Sequence, residues 1–286
     1  MENKEKLLIS FSGGRTSAYM LQWILQSEEY NKQYEFVVVF ANTGKEDEGT
    51  LQFVRDCGLK FGCKIIWVEA KHRKEKGELI TKKGWGVSFK EVTFETASRN
   101  GEPFEEMCSA IGIPCSSAPF CSDQLKRKPI EQYLKSIGWK KFHKAIGIRT
   151  DEIDRMNPNF RKKRIVYPLI KEHPTTKKQI LNWWKLNSFN LEVPENLGNC
   201  DICWKKSFKV LVQNTKDFPE KFDWWQLMIE KHGNKSRNTD KTISFFRGGK
   251  SIQELFEMGN LSEKQISLFA EEFKLDGCSE SCEVYK

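Results

Sequence analysis

The sequence predicts an α/β fold: a doubly wound, mostly parallel sheet followed by a mostly helical, cysteine-bearing C-terminal region. Three observations carry that expectation. Short apolar runs alternate with helical patterns from residue 7 onward, the order that winds a parallel sheet through right-handed crossovers. Gly-rich or polar turns follow the first two runs, on the side where such sheets bind ligands. From about residue 187 the strand-like runs stop and stretches rich in Trp and Lys take over. The expected division is therefore residues 1–186 for the sheet and 187–286 for the helical region.

The elements read in order as follows. Leu7, Leu8 and Ile9 form a short buried strand, and Met20, Leu21, Trp23, Ile24 and Leu25 give the helix after it one apolar face. "YEFVVVFANTG" (34–44) is a near-continuous apolar run, as a doubly covered parallel strand requires, and "CKIIWVEA" (63–70) repeats it. A helix with a glycine stop joins them over 46–62. Residues 71–120 are polar and Gly-rich and predict little regular structure. A helix follows over 123–139, then strands over 141–149 and 164–170, and an amphipathic helix with Thr caps over 175–187.

Composition bounds the function. The 286 residues suffice for one large α/β domain with an appendage. No apolar run reaches eighteen residues, and "MENKEKLL" lacks the apolar core of a signal peptide, so a cytoplasmic chain without membrane contact is expected. The net charge of +8 suits an anionic substrate or a nucleic acid. Basic clusters at 71–83 and 161–164 read either as phosphate contacts or as solvated faces. Nine cysteines in a reducing compartment point to metal or catalysis rather than disulfides.

The turn "SFSGGRTS" (10–17) links the first strand to its helix. Backbone N–H groups of a Gly-rich turn at a helix N-terminus bind an anion, most often phosphate. The spacing does not match the Walker A loop, and the dinucleotide pattern is absent. What remains is Ser-Gly-Gly-x-x-Ser, or an ordinary glycine turn. Cys200-x-x-Cys203 is half a thiolate site for one metal centre, so further ligands must come from elsewhere. Cys57, Cys63, Cys108 and Cys115 lack paired spacing and read as ordinary thiols.

The Ser-Gly-Gly-x-x-Ser loop resembles that of the PP-loop adenine-nucleotide enzymes, with Thr16 where the usual form carries Asp. "FANTGKEDEGTLQFV", "TASRNGEPF", "PFCSDQLKRKPI", "AIGIRTDEIDR", "YPLI", "NCDICWKKS" and "FFRGGKSIQELF" extend the resemblance, in order, to the phosphoadenosine-phosphosulfate (PAPS) reductase branch. The likeness is greatest to its phage-borne, reductase-like members. It implies a Rossmann-like PP-loop fold in which Ser10, Ser12, Gly13, Gly14, Arg15, Thr16 and Ser17 cradle the anionic end of ATP, PAPS or adenosine phosphosulfate (APS). Phe40, Ala41, Asn42, Thr43 and Gly44 would border the nucleotide. Lys126, Arg127, Arg149 and Asp151 would face the anion, although Arg149–Glu152 also reads as an internal ion-pair cluster at a strand end.

The resemblance further implies a [4Fe–4S] cluster on Cys121, Cys200, Cys203 and Cys278, with Cys282 or Cys115 in reserve and zinc as the alternative metal. Two reactions fit. In one, ATP with Mg²⁺ activates an acceptor oxygen and sulfur replaces the activated group; a nucleic acid would suit as acceptor. In the other, a tail thiolate, Cys282, attacks the sulfur of PAPS or APS. Two departures favour the sulfurtransferase over the reductase. The tail "GCSESCEVYK" lacks the reductases' Glu-Cys-Gly-(Leu/Ile)-His, and Phe120-Cys121 stands where cluster-bearing reductases have Cys-Cys. A sulfur or electron donor protein is implied as a partner. A reading of another class is a non-catalytic nucleotide- or nucleic-acid-binding module with a structural metal, in which Trp67, Trp85, Trp139, Trp183, Trp184, Trp204, Trp224 and Trp225 stack bases or simply fill the core.

Overall fold

The computed structural model describes residues 4–72, 86–115, 118–233, 245–246, 249–261 and 264–266. Six strands form one sheet in the order β4-β3-β2-β1-β5-β6. β1 (Glu5–Phe11), β2 (Tyr34–Asn42), β3 (Ile65–His72), β5 (His143–Ala145) and β6 (Ile165–Val166) run parallel, and β4 (Val87–Val92) lies antiparallel at the edge beside β3. The helices are α1 (Arg15–Gln26), α2 (Glu28–Gln33), α3 (Glu48–Lys60), α4 (Glu102–Ile111), α5 (Lys128–Ser136), α6 (Pro168–Lys171), α7 (Lys177–Lys185), α8 (Phe208–Asp217), α9 (Phe222–His232) and α10 (Ile252–Gly259). The doubly wound α/β expectation holds.

Alternation along the central strands explains the two layers. Leu7, Ile9 and Phe11 of β1 and Val38 and Phe40 of β2 point to one face, where they meet Ala18, Leu21 and Ile24 of α1, Val54 of α3 and Trp184 of α7. Leu8, Val39, Ala41 and Val68 point to the other, against Ile130 and Leu134 of α5. A strand buried on both faces reads as a continuous apolar run, which is the pattern of 34–42. A third core joins Phe104 and Met107 of α4 and Leu125 to Phe208 and Leu211 of α8, Trp225 of α9 and Leu255 of α10. Each such side chain contributes about 1.5–3 kcal/mol by leaving water. The C-terminal helices thus share their core with a helix from the sheet half of the chain.

The structure departs from the sequence reading in several places, and the strand expected over 141–149 is confined to His143–Ala145. Residues 71–120, expected to be largely irregular, include β4 and α4. Gly101, at φ +86°, precedes α4 and Pro103 sits in its first turn, so punctuation that looks like a loop is a helix start. The strand expected over 164–170 is confined to Ile165–Val166, because Pro168 cannot donate to a ladder and opens α6 instead. The helix over 123–139 begins with a π-helical turn, Asp123–Arg127, a geometry frequent at functional sites. Among the described residues no helix is long and apolar enough to cross a membrane.

Candidate functional site

Chain order reverses between β1 and β5: the chain runs outward from β1 to β4, then returns to place β5 on the other side of β1. Ligands in open α/β sheets bind at such a switch point, beyond the C-terminal strand ends. A cleft of about 110 Å³ opens there. Its lining includes Ser12–Ser17 after β1, Gly147 and Arg149 after β5, Lys177 of α7, and Gly198 and Asn199.

The loop after β1 is shaped by its two glycines in different ways. Gly13 has φ +78°, and a Cβ there would stand 2.8 Å from Thr50 Cγ2 and 3.2 Å from Phe40 Cε2. Only glycine fits that turn. Gly14 is the N-cap of α1 in extended conformation, and no side chain caps the helix or places a carboxylate in its first turn. The Ser17 hydroxyl donates to the Gly14 carbonyl at 2.9 Å and lies 2.9 Å from the Ser12 hydroxyl, which closes the turn on itself. The first-turn amides and the positive end of the helix dipole therefore face the cleft, the arrangement that stabilises an anion.

Arg149 is 5% exposed and donates to the Thr16 hydroxyl at 3.0 Å. Asp151 at 3.2 Å and Glu152 at 3.3 Å hold it from the other side. Burial works to raise the Asp151 pKa, but the hydrogen bonds from Arg149 and the Lys177 amide prevail and hold it below the usual carboxylate range. Arg149 thus carries a positive charge into the cleft wall and braces the loop at the same time. Gly147 allows this closeness, since a Cβ there would press on Ser17 Cα at 3.3 Å. The Arg15 guanidinium bonds Asn190 Oδ1 at 2.8 Å and the Leu191 carbonyl at 2.6 Å.

A second, smaller void of about 20 Å³ adjoins the cleft, and Asn199, at φ +62°, lines both. Cys121, Cys200 and Cys203 converge on it, with Thr43, Lys126, Trp204 and Trp225. Cys121 sits at the head of the π-helical turn; Cys200 and Cys203 come from a loop whose Cys200 pairs in a single bridge with Glu46. Cys200 Sγ lies 3.4 Å from the Thr43 hydroxyl. Burial, and then Glu46, push the Cys200 thiol well above its ordinary pKa, while Lys126 draws it back. Glu46 accepts from the Thr43 amide and hydroxyl, both at 2.8 Å, and pairs with the buried Lys126 at 3.5 Å. Burial lowers the pKa of Lys206, whose ammonium donates to the Gly198 carbonyl at 2.7 Å.

The donor set fits a thiolate-bound metal in kind: three thiols on one apolar cavity with buried ammonium groups at its edge. Among the described residues, however, no three His, Cys, Asp or Glu stand in a metal-holding arrangement. Cys278 and Cys282 lie outside the described residues, as do Trp85 and residues 73–83 of the first basic cluster.

The remaining expected site residues divide. Ser10, Phe40 and Ala41 belong to the strands under the loop, and Phe40 supports Gly13 from below. Asn42 bonds Glu69 at 2.7 Å and the Ser98 carbonyl at 2.8 Å, and its Oδ1 accepts from the Gly44 amide. Phe40, Ala41, Asn42 and Gly44 do not line the cleft, and Thr43 faces the thiol void. Lys126 faces that void as well, and Arg127 is paired with Asp123 and Glu131 on its own helical face. Cys115 forms a bridge with Ala118 and lines neither cavity. Sequence reasoning passed over Gly147, Lys177 and Asn199. A glycine inside a strand pattern was the available signal for Gly147; nothing local marks the other two.

No family model matches the chain. It is 32% identical over 287 residues to the uncharacterized nin-region protein ORF290 of Escherichia phage lambda, covering 97% of this chain and 94% of that one. It is 22% identical over 245 residues to the uncharacterized protein MJ0066 of Methanocaldococcus jannaschii, 81% of this chain but 43% of the archaeal protein. It is also 26% identical over 118 residues to the argininosuccinate synthase of Aedes aegypti, 41% of this chain and 26% of the synthase.

Proposed function

The chain belongs to the family of the phage lambda nin-region protein ORF290, and within it we propose a PP-loop enzyme that binds an adenine nucleotide and transfers sulfur. The observation that carries this reading is the uncapped N-terminus of α1 at the β1/β5 switch point, with Arg149 on the same cleft wall and three thiols across Asn199. A nucleotide's anionic end fits the first-turn amides and the Arg149 charge. Similarity to a protein named as a synthase favours an enzyme over a binding module.

In the favoured reaction ATP, with Mg²⁺ offsetting its charge, activates an acceptor oxygen. The loop amides orient the phosphates and take up charge as pyrophosphate leaves. Arg149 holds Thr16 in register throughout, and Asp151 and Glu152 keep the guanidinium from swinging away. Cys121, Cys200 and Cys203, with a tail cysteine such as Cys278, would hold an iron–sulfur cluster; sulfide-level sulfur from a donor protein would form the new bond to the acceptor as AMP leaves with the activated oxygen. Lys126 and Lys206 would offset thiolate charge in this buried setting. The alternative reaction, PAPS or APS reduction with Cys282 as nucleophile, uses the same anion cradle.

Anaerobically purified protein should contain iron and sulfide and bind ATP; turnover should release pyrophosphate from ATP and no sulfite from PAPS. Cys203→Ser should cut iron content several-fold while nucleotide affinity stays within about twofold. Zinc in place of iron would overturn the cluster assignment. Absence of ATP and PAPS binding would overturn the nucleotide reading.

A further inference from the structure

At the opposite end of β5 from the cleft lies a groove of about 790 Å³. The end of α5 and the turn after it supply Lys135, Lys140 and Lys141, the start of β5 supplies Lys144, and the turn before β6 supplies Lys162, Lys163 and Arg164. Glu131 is the one carboxylate in the lining among the described residues, and it is engaged by Arg127 at 2.7 Å. Six of the seven cations are exposed, and Lys135, Lys140, Lys141, Lys162 and Arg164 have no carboxylate partner among the described residues. Like charges gathered so closely repel one another unless a polyanion lies among them.

The backbone holds this array in place. The Lys144 amide donates to the Arg164 carbonyl at 2.9 Å, and the Lys144 ammonium donates to the Lys163 carbonyl at 3.1 Å. The Arg164 amide turns back to the Arg161 carbonyl at 3.1 Å, and Arg164 sits at φ +53°. Glycine or asparagine would take that left-handed conformation at lower cost, so an arginine there keeps charge at the expense of backbone ease. Burial lowers the Lys144 pKa; the Glu131 charge opposes this, and the charges of Arg127, Arg164 and Lys163 reinforce it.

We infer that this groove binds the phosphodiester backbone of a nucleic acid without reading its sequence. The groove is concave and charged along two chain segments, which suits a continuous polyanionic strand better than a flat lipid surface. Its aromatic rings do not offer stacking platforms: Trp139 is 7% exposed, and Phe142 is half-buried with the Lys144 ammonium 5.2 Å from its ring centre. Contact is therefore to phosphates rather than bases. The inference does not depend on the nucleotide reading, because no residue of the cleft lines the groove.

The test is fluorescence anisotropy of a labelled short DNA duplex of arbitrary sequence, titrated with the full chain over a range of salt. Replacing Lys140, Lys141, Lys162 and Lys163 with Ala should weaken binding roughly tenfold or more and reduce the salt slope by about three to four. Replacing the same four with Arg should retain the affinity. A control variant replacing the exposed Lys60, Lys185, Lys209 and Lys216 should bind as the wild type does. Equal losses in the two alanine sets, or no duplex binding at low salt, would overturn the proposal. So would groove-dependent binding of polyglutamate or of anionic phosphatidylserine vesicles without binding of the duplex. If the quadruple alanine variant loses its circular-dichroism signal, Lys141→Glu and Lys162→Glu singly decide, each expected to weaken duplex binding at least about threefold.

Discussion

Gly14→Asp separates stability from function at the anion cradle. Gly14 caps α1 with φ −99° and ψ 161°, the extended geometry in which N-cap side chains reach back to first-turn amides. A Cβ there would meet only Ser12 Oγ, at an ordinary 3.7 Å. A side-chain Cβ is therefore accommodated without displacing the loop. Capping in place of glycine contributes a few tenths of a kcal/mol, and a carboxylate on the helix dipole about 0.3–1 more. For 286 residues, at about 2.1 cal/mol/K per residue, the gain raises Tm by roughly 1–2 °C. The same carboxylate occupies the amides that the nucleotide needs. At about 4 Å from a bound anion and an effective dielectric near 20, repulsion costs about 4 kcal/mol, or roughly a thousandfold in affinity. Scanning calorimetry and isothermal titration with ATP and with PAPS measure both quantities. Gly14→Ala is the neutral control and should keep binding. A Gly14→Asp protein with affinity within about threefold of wild type, or one melting several degrees lower, would refute the reasoning.

Two further predictions concern parts of the structure outside the cradle. Asp201 is buried, accepts from the Trp225 indole at 2.9 Å and pairs with Lys45 at 3.0 Å, so Asp201→Ala strands a buried ammonium and should cost about 3–5 kcal/mol in urea unfolding. A loss below about 1 kcal/mol would mean that Lys45 finds water or the Trp224 ring, 4.5 Å away, an adequate substitute. Burial, aided by the Lys128 charge, holds the His72 imidazole down at about 4, against an ordinary 6.5. The unfolded chain then takes up this proton first, so the His72 contribution is complete above pH 6.5 and is lost as pH falls toward 4, by about 3 kcal/mol at most. His72→Gln should flatten the stability profile across that window, and parallel profiles for the two proteins would contradict the assignment.

The local patterns that repeat at short range were legible in the sequence. The apolar runs at 7–9, 34–42 and 65–70 became strands β1, β2 and β3 because residues alternating between two covered faces must all be apolar. The pair of glycines after β1 marked a turn and an uncapped helix start, since φ +78° at Gly13 and the bare N-cap at Gly14 are single-residue properties. Cys200-x-x-Cys203 was equally visible as a pair.

Chain reversal and partner choice were not. That β5 returns beside β1, which puts Gly147 and Arg149 against Thr16 and Ser17, depends on sheet order, and sheet order is a long-range property. Lys126, expected through the resemblance to face the anion, pairs in space with Glu46 beside the thiols, a contact that nothing local to either residue marks. The sequence determined which segments become strands and helices and which turn exposes its amides, because those follow from the period of the apolar residues and the freedom of glycine. Only the tertiary structure decided which charges share a cavity, because electrostatic and packing partners are set by distances of a few ångströms between segments more than a hundred residues apart.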